Sequence, residues 1–341
     1  MSSIRSDEVS SRTSFTKVSR VQSKQEQNSS PHIPVLLHRI LSTFEALEEG
    51  TLIDCTLGYA GHSSALLAAH PKLHLVGIDR DPEALEFSRE RLKPFRERVR
   101  FLRGSFSRLL PELLSEERVA GILADFGVSS LQLDKKRRGF SFESETLDMR
   151  MDPEGELSAY EVINEYPMEK LEYLFREYGE IHQSRRLAEA IVKRRASEPI
   201  RSARELSALA LTHLPRGGKI HPATLMFQAV RIEVNDELGE IERLLDALEE
   251  IPPSGATVAL ITFHSLEDRL VKNRFRRWSR ECICPPEAIR CSCGGGHSLG
   301  RLLTRKPLTA SAEELRENSR SRSAKLRAFR FHAADSGETR P

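Results

Sequence analysis

From Thr51 to Asp125 the chain alternates short apolar runs with single helical segments, and no other feature restricts its fold as tightly. The runs are Thr51–Cys55, Leu73–Asp79, Arg98–Leu102 and Val119–Asp125. A turn at Gly58–Gly61 and a helix over His62–His70 separate the first two. Asp81 followed by Pro82 marks the next helix start, with the proline where its missing N–H is not needed. Strands joined through single helices build a parallel, doubly wound α/β sheet. Ligands of such sheets bind outside the carboxyl ends of the strands.

The alternation stops near residue 134. Residues 134–236 carry helical periodicity and no convincing strand, most clearly over Leu171–Tyr178 and Ser184–Arg195. It resumes with a helix at Glu237–Glu250, a stop at Pro252-Pro253 and an apolar strand at Thr257–Phe263. Ala324–His332 alternates well enough for a last strand. The economical reading is one α/β domain in two parts, 31–133 and 237–332, interrupted by a helical insertion over 134–236. Residues 1–30 are rich in Ser and poor in apolar side chains, so they and residues 333–341 read as disordered tails.

Two signals point to an adenosine-containing ligand. Gly58 and Gly61 lie in the first strand-to-helix turn, where glycine lets the backbone approach a ligand closely. Asp79 ends the second strand, 21 residues after Gly58, where a carboxylate can accept hydrogen bonds from both hydroxyls of a ribose. NAD and S-adenosylmethionine both satisfy this pattern. The incomplete glycine fingerprint favours S-adenosylmethionine, which has no pyrophosphate to seat against the helix. Phe106, after the third strand, could stack on adenine, but without further context core packing is the better reading.

The segment Leu123-Ala-Asp-Phe-Gly-Val-Ser-Ser-Leu-Gln132 leaves the fourth strand at its carboxyl end. Its Asp-Phe-Gly triplet is shared with protein kinases, but the chain has neither a kinase glycine-rich loop nor a His-Arg-Asp loop. With this segment in place, the chain resembles the RsmH (MraW) family of ribosomal RNA cytosine-N4 methyltransferases over nearly all of His32–Arg330. The resemblance is carried by His32–Leu37 (HIPVLL), Arg138–Phe142 (RGFSF), Leu147–Asp152 (LDMRMD), His221–Thr224 (HPAT), Arg231–Leu238 (RIEVNDEL), Thr262–Arg269 (TFHSLEDR) and Ser323–Arg327 (SAKLR).

That resemblance implies a class I, Rossmann-like methyltransferase sheet with an inserted all-helical substrate-recognition domain. It implies methyl transfer from S-adenosyl-L-methionine to the N4 amine of a cytidine in the decoding region of 16S ribosomal RNA. It also implies cofactor contacts at Ala60, Gly61, His62, Asp79, Phe106, Asp125 and Gln132. The chain departs from the family pattern at Tyr59-Ala60, where glycines or Arg-Gly are usual, and at Ile181-His182, Leu225 and Asn318-Ser-Arg320. The first departure leaves the turn backbone less free. The Leu225 change removes a candidate RNA contact.

An exocyclic cytosine amine is a poor nucleophile, because its lone pair is delocalised into the ring. The enzyme must align it with the methyl donor, which in favourable cases supplies about 7–11 kcal/mol, and must accept its proton. Asp125 is the first candidate for the acceptor. Ser129, Ser130 and His264 are secondary, and a purely structural histidine at the end of an apolar strand competes with the catalytic reading of His264. Methyl transfer of this kind needs no metal.

Charge is distributed unevenly. Arg269–Arg330 holds 16 Lys/Arg against 5 Asp/Glu in a chain of net charge +2. A basic bias of this kind suits a polyanionic partner as well as it does a solvated basic face; the family resemblance implies that the partner is small-subunit rRNA or the 30S particle. Whether two copies pair as a homodimer stays open. No apolar run reaches the roughly 18 residues that span a bilayer, and the amino terminus lacks the apolar core of a secretory signal. The default setting is therefore reducing and cytoplasmic.

Cys282, Cys284, Cys291 and Cys293 form two Cys-x-Cys pairs, six residues apart, beside Gly294–Gly296. They are zinc candidates, although the short spacing competes with a loop of reduced thiols, and the resemblance does not itself imply a required metal. Trp278 among arginines could stack on a base or pack beneath the cysteine loop. Two other functions stay open. A DNA amino-methyltransferase would carry Asn/Asp-Pro-Pro-aromatic after strand four, where this chain has Asp-Phe-Gly-Val. A non-catalytic RNA-binding assembly factor would need no cofactor.

Overall fold

The computed structural model describes residues 33–215, 221–285, 287–288 and 290–334. The expected amino-terminal tail lies outside them, as does the carboxyl-terminal tail apart from its first two residues. Seven strands form one sheet: β1 (Gly50–Asp54), β2 (Leu73–Asp79), β3 (Val99–Arg103), β4 (Val119–Asp125), β5 (Thr257–Thr262), β6 (Gly300–Leu302) and β7 (Lys325–Phe331). Their order is β3-β2-β1-β4-β5-β7-β6. This is the Rossmann-like α/β sheet expected from the sequence.

The inner parallel strands β1, β2, β4 and β5 are largely apolar because helices cover both faces of the sheet, whereas the edge strand β3 has no buried residue. Every residue of β5 is buried. Along each strand, alternate side chains enter different cores. Ile53, Val76, Ile78, Ile122 and Val258 pack beneath the helices Phe106–Glu116, Glu237–Glu250 and Ser265–Trp278. Leu52, Leu75, Leu123 and Ala259 pack beneath Leu37–Thr43, Gly61–Ala69 and Pro82–Arg91. Five helices from Ala159–Glu165 to Ala223–Asn235 build a third core around Phe175, Leu187, Leu206 and Met226. No strand interrupts this stretch among the described residues.

The structure departs from the sequence reading in three places. β3 begins at Val99, because Arg98 closes a 3₁₀ turn and donates to the carbonyls of Leu67, His70 and Leu73. β6 was not foreseen: three residues are too few to show alternation. The sheet is not wholly parallel, since β7 runs antiparallel to both β5 and β6. Lys325 opens β7 opposite Thr262, the last residue of β5, so the chain re-enters the sheet from its carboxyl edge. The preceding segment is anchored by Glu314, whose Oε1 accepts from the Leu36 amide at 2.6 Å.

A buried ion pair fastens β7 in place. Arg327 donates from Nε and Nη2 to the two oxygens of Asp268 on the helix Ser265–Trp278, at 2.7 and 3.1 Å. Removing one member leaves the other charge poorly compensated. Arg327→Met should therefore destabilise the fold by about 3 kcal/mol, read as a fall in the urea midpoint at unchanged slope.

Candidate active site

Strands β1, β2 and β4 each end in an aspartate, and their parallel register brings Asp54, Asp79 and Asp125 to the same edge of the sheet. Asp54 is buried, and its Oδ2 accepts from the Ser63 hydroxyl at 2.5 Å while Oδ1 accepts from the Thr56 amide. Asp79 accepts from the amides of Gly58 and Asp81, each at 2.8 Å. Burial raises both carboxyls to about 6, although these hydrogen bonds oppose it. Asp125 is pushed further, from 3.8 to about 8, by burial and then by the charges of Asp54 and Glu267. Its Oδ1 is buried and has no hydrogen-bond partner.

The turn after β1 is shaped for close approach. The Leu57 carbonyl accepts from the Ala60 amide at 2.7 Å, and Gly58 and Ala60 are both left-handed, with φ of +51° and +53°. For alanine this costs roughly 1–2 kcal/mol, so the departure from glycine at position 60 is absorbed as backbone strain. Gly61 lacks a side chain for a different reason: a Cβ there would lie 2.4 Å from Pro34 Cγ. His62 is buried, with Nε2 2.8 Å from the Val35 carbonyl oxygen. Both residues thus hold the segment at 33–36 against the turn.

Beyond β4, Gly127 (φ +97°) turns the chain toward Ser129. The Ser129 hydroxyl accepts from the Gln132 amide, and the Ser129 amide donates to Gln132 Oε1. Gln132 is buried and donates through Nε2 to Asp81 Oδ2 at 3.2 Å. Asp81 also caps the helix Pro82–Arg91, as its sequence context indicated, and receives the buried Arg138 at 2.8 Å. The Ser129 hydroxyl thus sits at a helix cap. Phe106 packs in the core, 6.2 Å from Phe126 between ring centroids.

Across the site, buried Glu267 accepts from the Phe263 amide at 2.7 Å and lies 3.1 Å from His264 Nε2. Burial acts to raise the Glu267 carboxyl, but His264, the Phe263 amide and Arg231 outweigh it and hold it below its usual range. Arg231 donates both ways to Glu237, at 2.7 and 3.0 Å. Glu237, His264 and Glu267 each offer a donor atom within 4.8 Å of the others. Arg231 and Glu237 form an ion pair, while both His264 nitrogens and Glu267 Oε1 are buried without a hydrogen-bond partner, as Asp125 Oδ1 is.

The carboxyl edge therefore offers a carboxylate at Asp79, a strained turn and one unsatisfied buried oxygen at Asp125. Comparison with known sequences decides the family. Residues 29–332 match the model of the MraW methylase family. The chain belongs to that family. It is 64% identical over 301 residues to the ribosomal RNA small subunit methyltransferase H of Sulfurovum sp. (strain NBC37-1), covering 88% of this chain and 98% of that protein. It is 59% identical to the protein of the same name from Wolinella succinogenes, covering 89% of this chain and 99% of the other.

Within this MraW family member, sequence reasoning missed Asp54, Arg231, Glu237 and Glu267. Asp54 repeats the pattern of Asp79 and Asp125, an aspartate closing an apolar run. The other three stand inside the blocks Arg231–Leu238 and Thr262–Arg269, where neighbouring residues drew attention first. Trp278 is no base-stacking platform: it is buried against Phe275, Phe329 and Phe331, and its indole N–H donates to Glu249.

The raised carboxyl of Asp125 fixes the sign of a stability effect. A group that binds its proton more tightly when folded favours the folded state at low pH and loses that contribution as pH rises through its folded value. Asp125→Asn, which mimics the protonated form, should leave stability nearly unchanged below 3.8 and increase it relative to the parent as pH climbs to about 8. Denaturant midpoints across this range check it; a constant difference between the two proteins would contradict burial as the cause.

Proposed function

We propose that this methylase transfers the methyl group of S-adenosyl-L-methionine to the N4 amine of a cytidine in the decoding region of small-subunit (16S) ribosomal RNA. The observation that carries this reading is the buried, unpartnered Oδ1 of Asp125 at the carboxyl edge of β4. An acceptor left this way costs about 1–3 kcal/mol, which a donor amine or a nearby positive charge would relieve. The names of the similar proteins from Sulfurovum and Wolinella agree with an rRNA substrate.

S-adenosylmethionine supplies, when bound, a methyl group made electrophilic by its positively charged sulfur. Asp79 would hold its ribose, because both carboxylate oxygens keep lone pairs beyond the amides of Gly58 and Asp81. The turn at Ala60, Gly61 and His62 would line the same pocket, Gln132 would close it beside Asp81, and Phe106 would border it from the core. Asp125 would hold the target amine through Oδ1 and take its proton as the nitrogen gains the methyl group. A cation beside Asp125 favours its ionised form, the one able to accept that proton.

We assign the chemistry to the two sheet segments, 31–133 and 237–332, and recognition of the RNA to the helical insertion at 134–236. The exposed guanidinium groups of Arg276, Arg280, Arg301 and Arg305 suit contacts to phosphate. No described helix is long and apolar enough to cross a membrane. We place the enzyme with its ribosomal substrate in the cytoplasm.

Asp125→Asn should lower kcat by about 10²-fold or more while the cofactor Kd changes far less. Equal losses in both would reduce Asp125 to a cofactor ligand. Calorimetry that detects no adenosylmethionine binding would favour the non-catalytic assembly factor. Mapping methylcytidine in small-subunit rRNA from a deletion strain should find one N4-methylcytidine missing. Binding to rRNA should weaken steeply with salt, and a flat dependence would remove the phosphate contacts from the proposal.

A further inference from the structure

Among the described residues, the loop between the helix Ser265–Trp278 and β6 has no core of its own. None of its described residues from Glu281 to His297 is buried, and Ile283 is 61% exposed. At its base the His297 amide donates to the Glu281 carbonyl at 3.2 Å and the Leu299 amide to the Trp278 carbonyl at 2.8 Å. Apolar burial cannot hold such a loop in one shape, and small units of this kind depend on disulfides or metals.

The loop nevertheless gathers four thiols. Cys282, Cys291 and Cys293 form a nearly equilateral triangle, with Sγ–Sγ distances of 3.6, 3.5 and 3.5 Å. Cys284 brings its sulfur within 4.8 Å of the other three. All four cysteines are free, and these separations are far longer than the roughly 2.05 Å of a disulfide. Four sulfurs each about 2.3 Å from one tetrahedral ion stand about 3.8 Å apart, which the triangle approaches closely. Sulfurs bound to separate irons of a cluster would be spread more widely.

The backbone is arranged to suit. Gly294, Gly295 and Gly296 are successively left-handed, at φ of +79°, +76° and +73°, and turn the chain back directly after Cys293. A run of three such residues is strained for any side chain but glycine. The Ser292 amide donates to Cys284 Sγ at 3.3 Å, the kind of N–H contact that orients and stabilises a metal-bound thiolate. In Cys-x-Cys, residues two apart on extended backbone face the same side, so each pair can supply two ligands to one ion.

We propose that Cys282, Cys284, Cys291 and Cys293 bind one zinc ion, closing the tetrahedron as four thiolates and fixing the loop ahead of β6. Four soft ligands with no oxygen donor select zinc over magnesium, calcium or manganese. Each thiol releases its proton to solvent on binding. The site has a structural role, distinct from the carboxyl edge of the sheet.

Elemental analysis of untagged protein purified without chelator should find one zinc per chain, and none in the double variant Cys291→Ser/Cys293→Ser. That variant should keep the circular dichroism of the parent, because none of the described residues from Glu281 to His297 is buried in the cores. Cobalt reconstitution of the parent should give the intense visible bands of a tetrahedral thiolate site together with sulfur-to-cobalt charge transfer. A metal content far below one per chain that zinc supplementation does not raise, a weak octahedral cobalt spectrum, or stoichiometric zinc retained by the variant would each overturn the proposal.

Discussion

Ending three neighbouring parallel strands on aspartate crowds three carboxyls at one edge of the sheet, Asp54 buried and Asp79 and Asp125 only partly exposed. Ionised carboxylates are costly there unless something compensates them. Asp54 and Asp79 are compensated by local donors, namely the Ser63 hydroxyl and the amides of Thr56, Gly58 and Asp81. Asp125 is not, and its Oδ1 is left without a partner. Much of the surrounding design follows from supplying two of these groups and withholding a donor from the third. The turn at Gly58–Gly61 must bend sharply enough to aim an amide at Asp79, and Ala60 takes a strained left-handed conformation to do it.

A second set of polar contacts ties this edge to the helical insertion. Gln132 and Arg138 converge on Asp81, and Arg138 also donates to the carbonyls of Arg150 and Met151. The Met151 amide in turn donates to Asn235 Oδ1, and Asn235 Nδ2 donates to the Met149 carbonyl. These groups are largely buried and mutually satisfied, so they fix the insertion against the sheet more specifically than apolar packing alone would. The cap of the helix after β2 and the last helix of the insertion thereby belong to one network. The ion pair of Arg231 with Glu237 and the close approach of Glu267 to His264 close the other side of the site, next to Asp125.

The sequence carried the parallel strands almost to the residue, because strands buried on both faces read as apolar runs and their ends as polar residues. It also placed Asp79 and Asp125 at the carboxyl ends of β2 and β4, because the end of an apolar run is legible in the pattern, whereas Gln132 entered only through the family resemblance. Three features were hidden for physical reasons. β6 is too short to alternate. The direction of β7 depends on where the chain re-enters the sheet, which no local pattern encodes. The packing roles of Gly61 and His62 arise from Pro34 and Val35, more than 25 residues earlier. Trp278 was ambiguous in a run of arginines because helical neighbours face different sides: the ring enters the core while Arg276 and Arg277 stay at the surface.

If the buried carboxyls are there to favour a positive charge, the protein must distinguish S-adenosylmethionine from its uncharged counterpart, S-adenosylhomocysteine, through their ionisation. The direct measurement is the ratio of the two dissociation constants across pH. The preference for the cation should grow as pH rises through about 6, where Asp54 and Asp79 are half ionised, to about 8, where Asp125 follows. A ratio that stays flat over that range would contradict this account, since the carboxyl edge would then not read the charge of the cofactor.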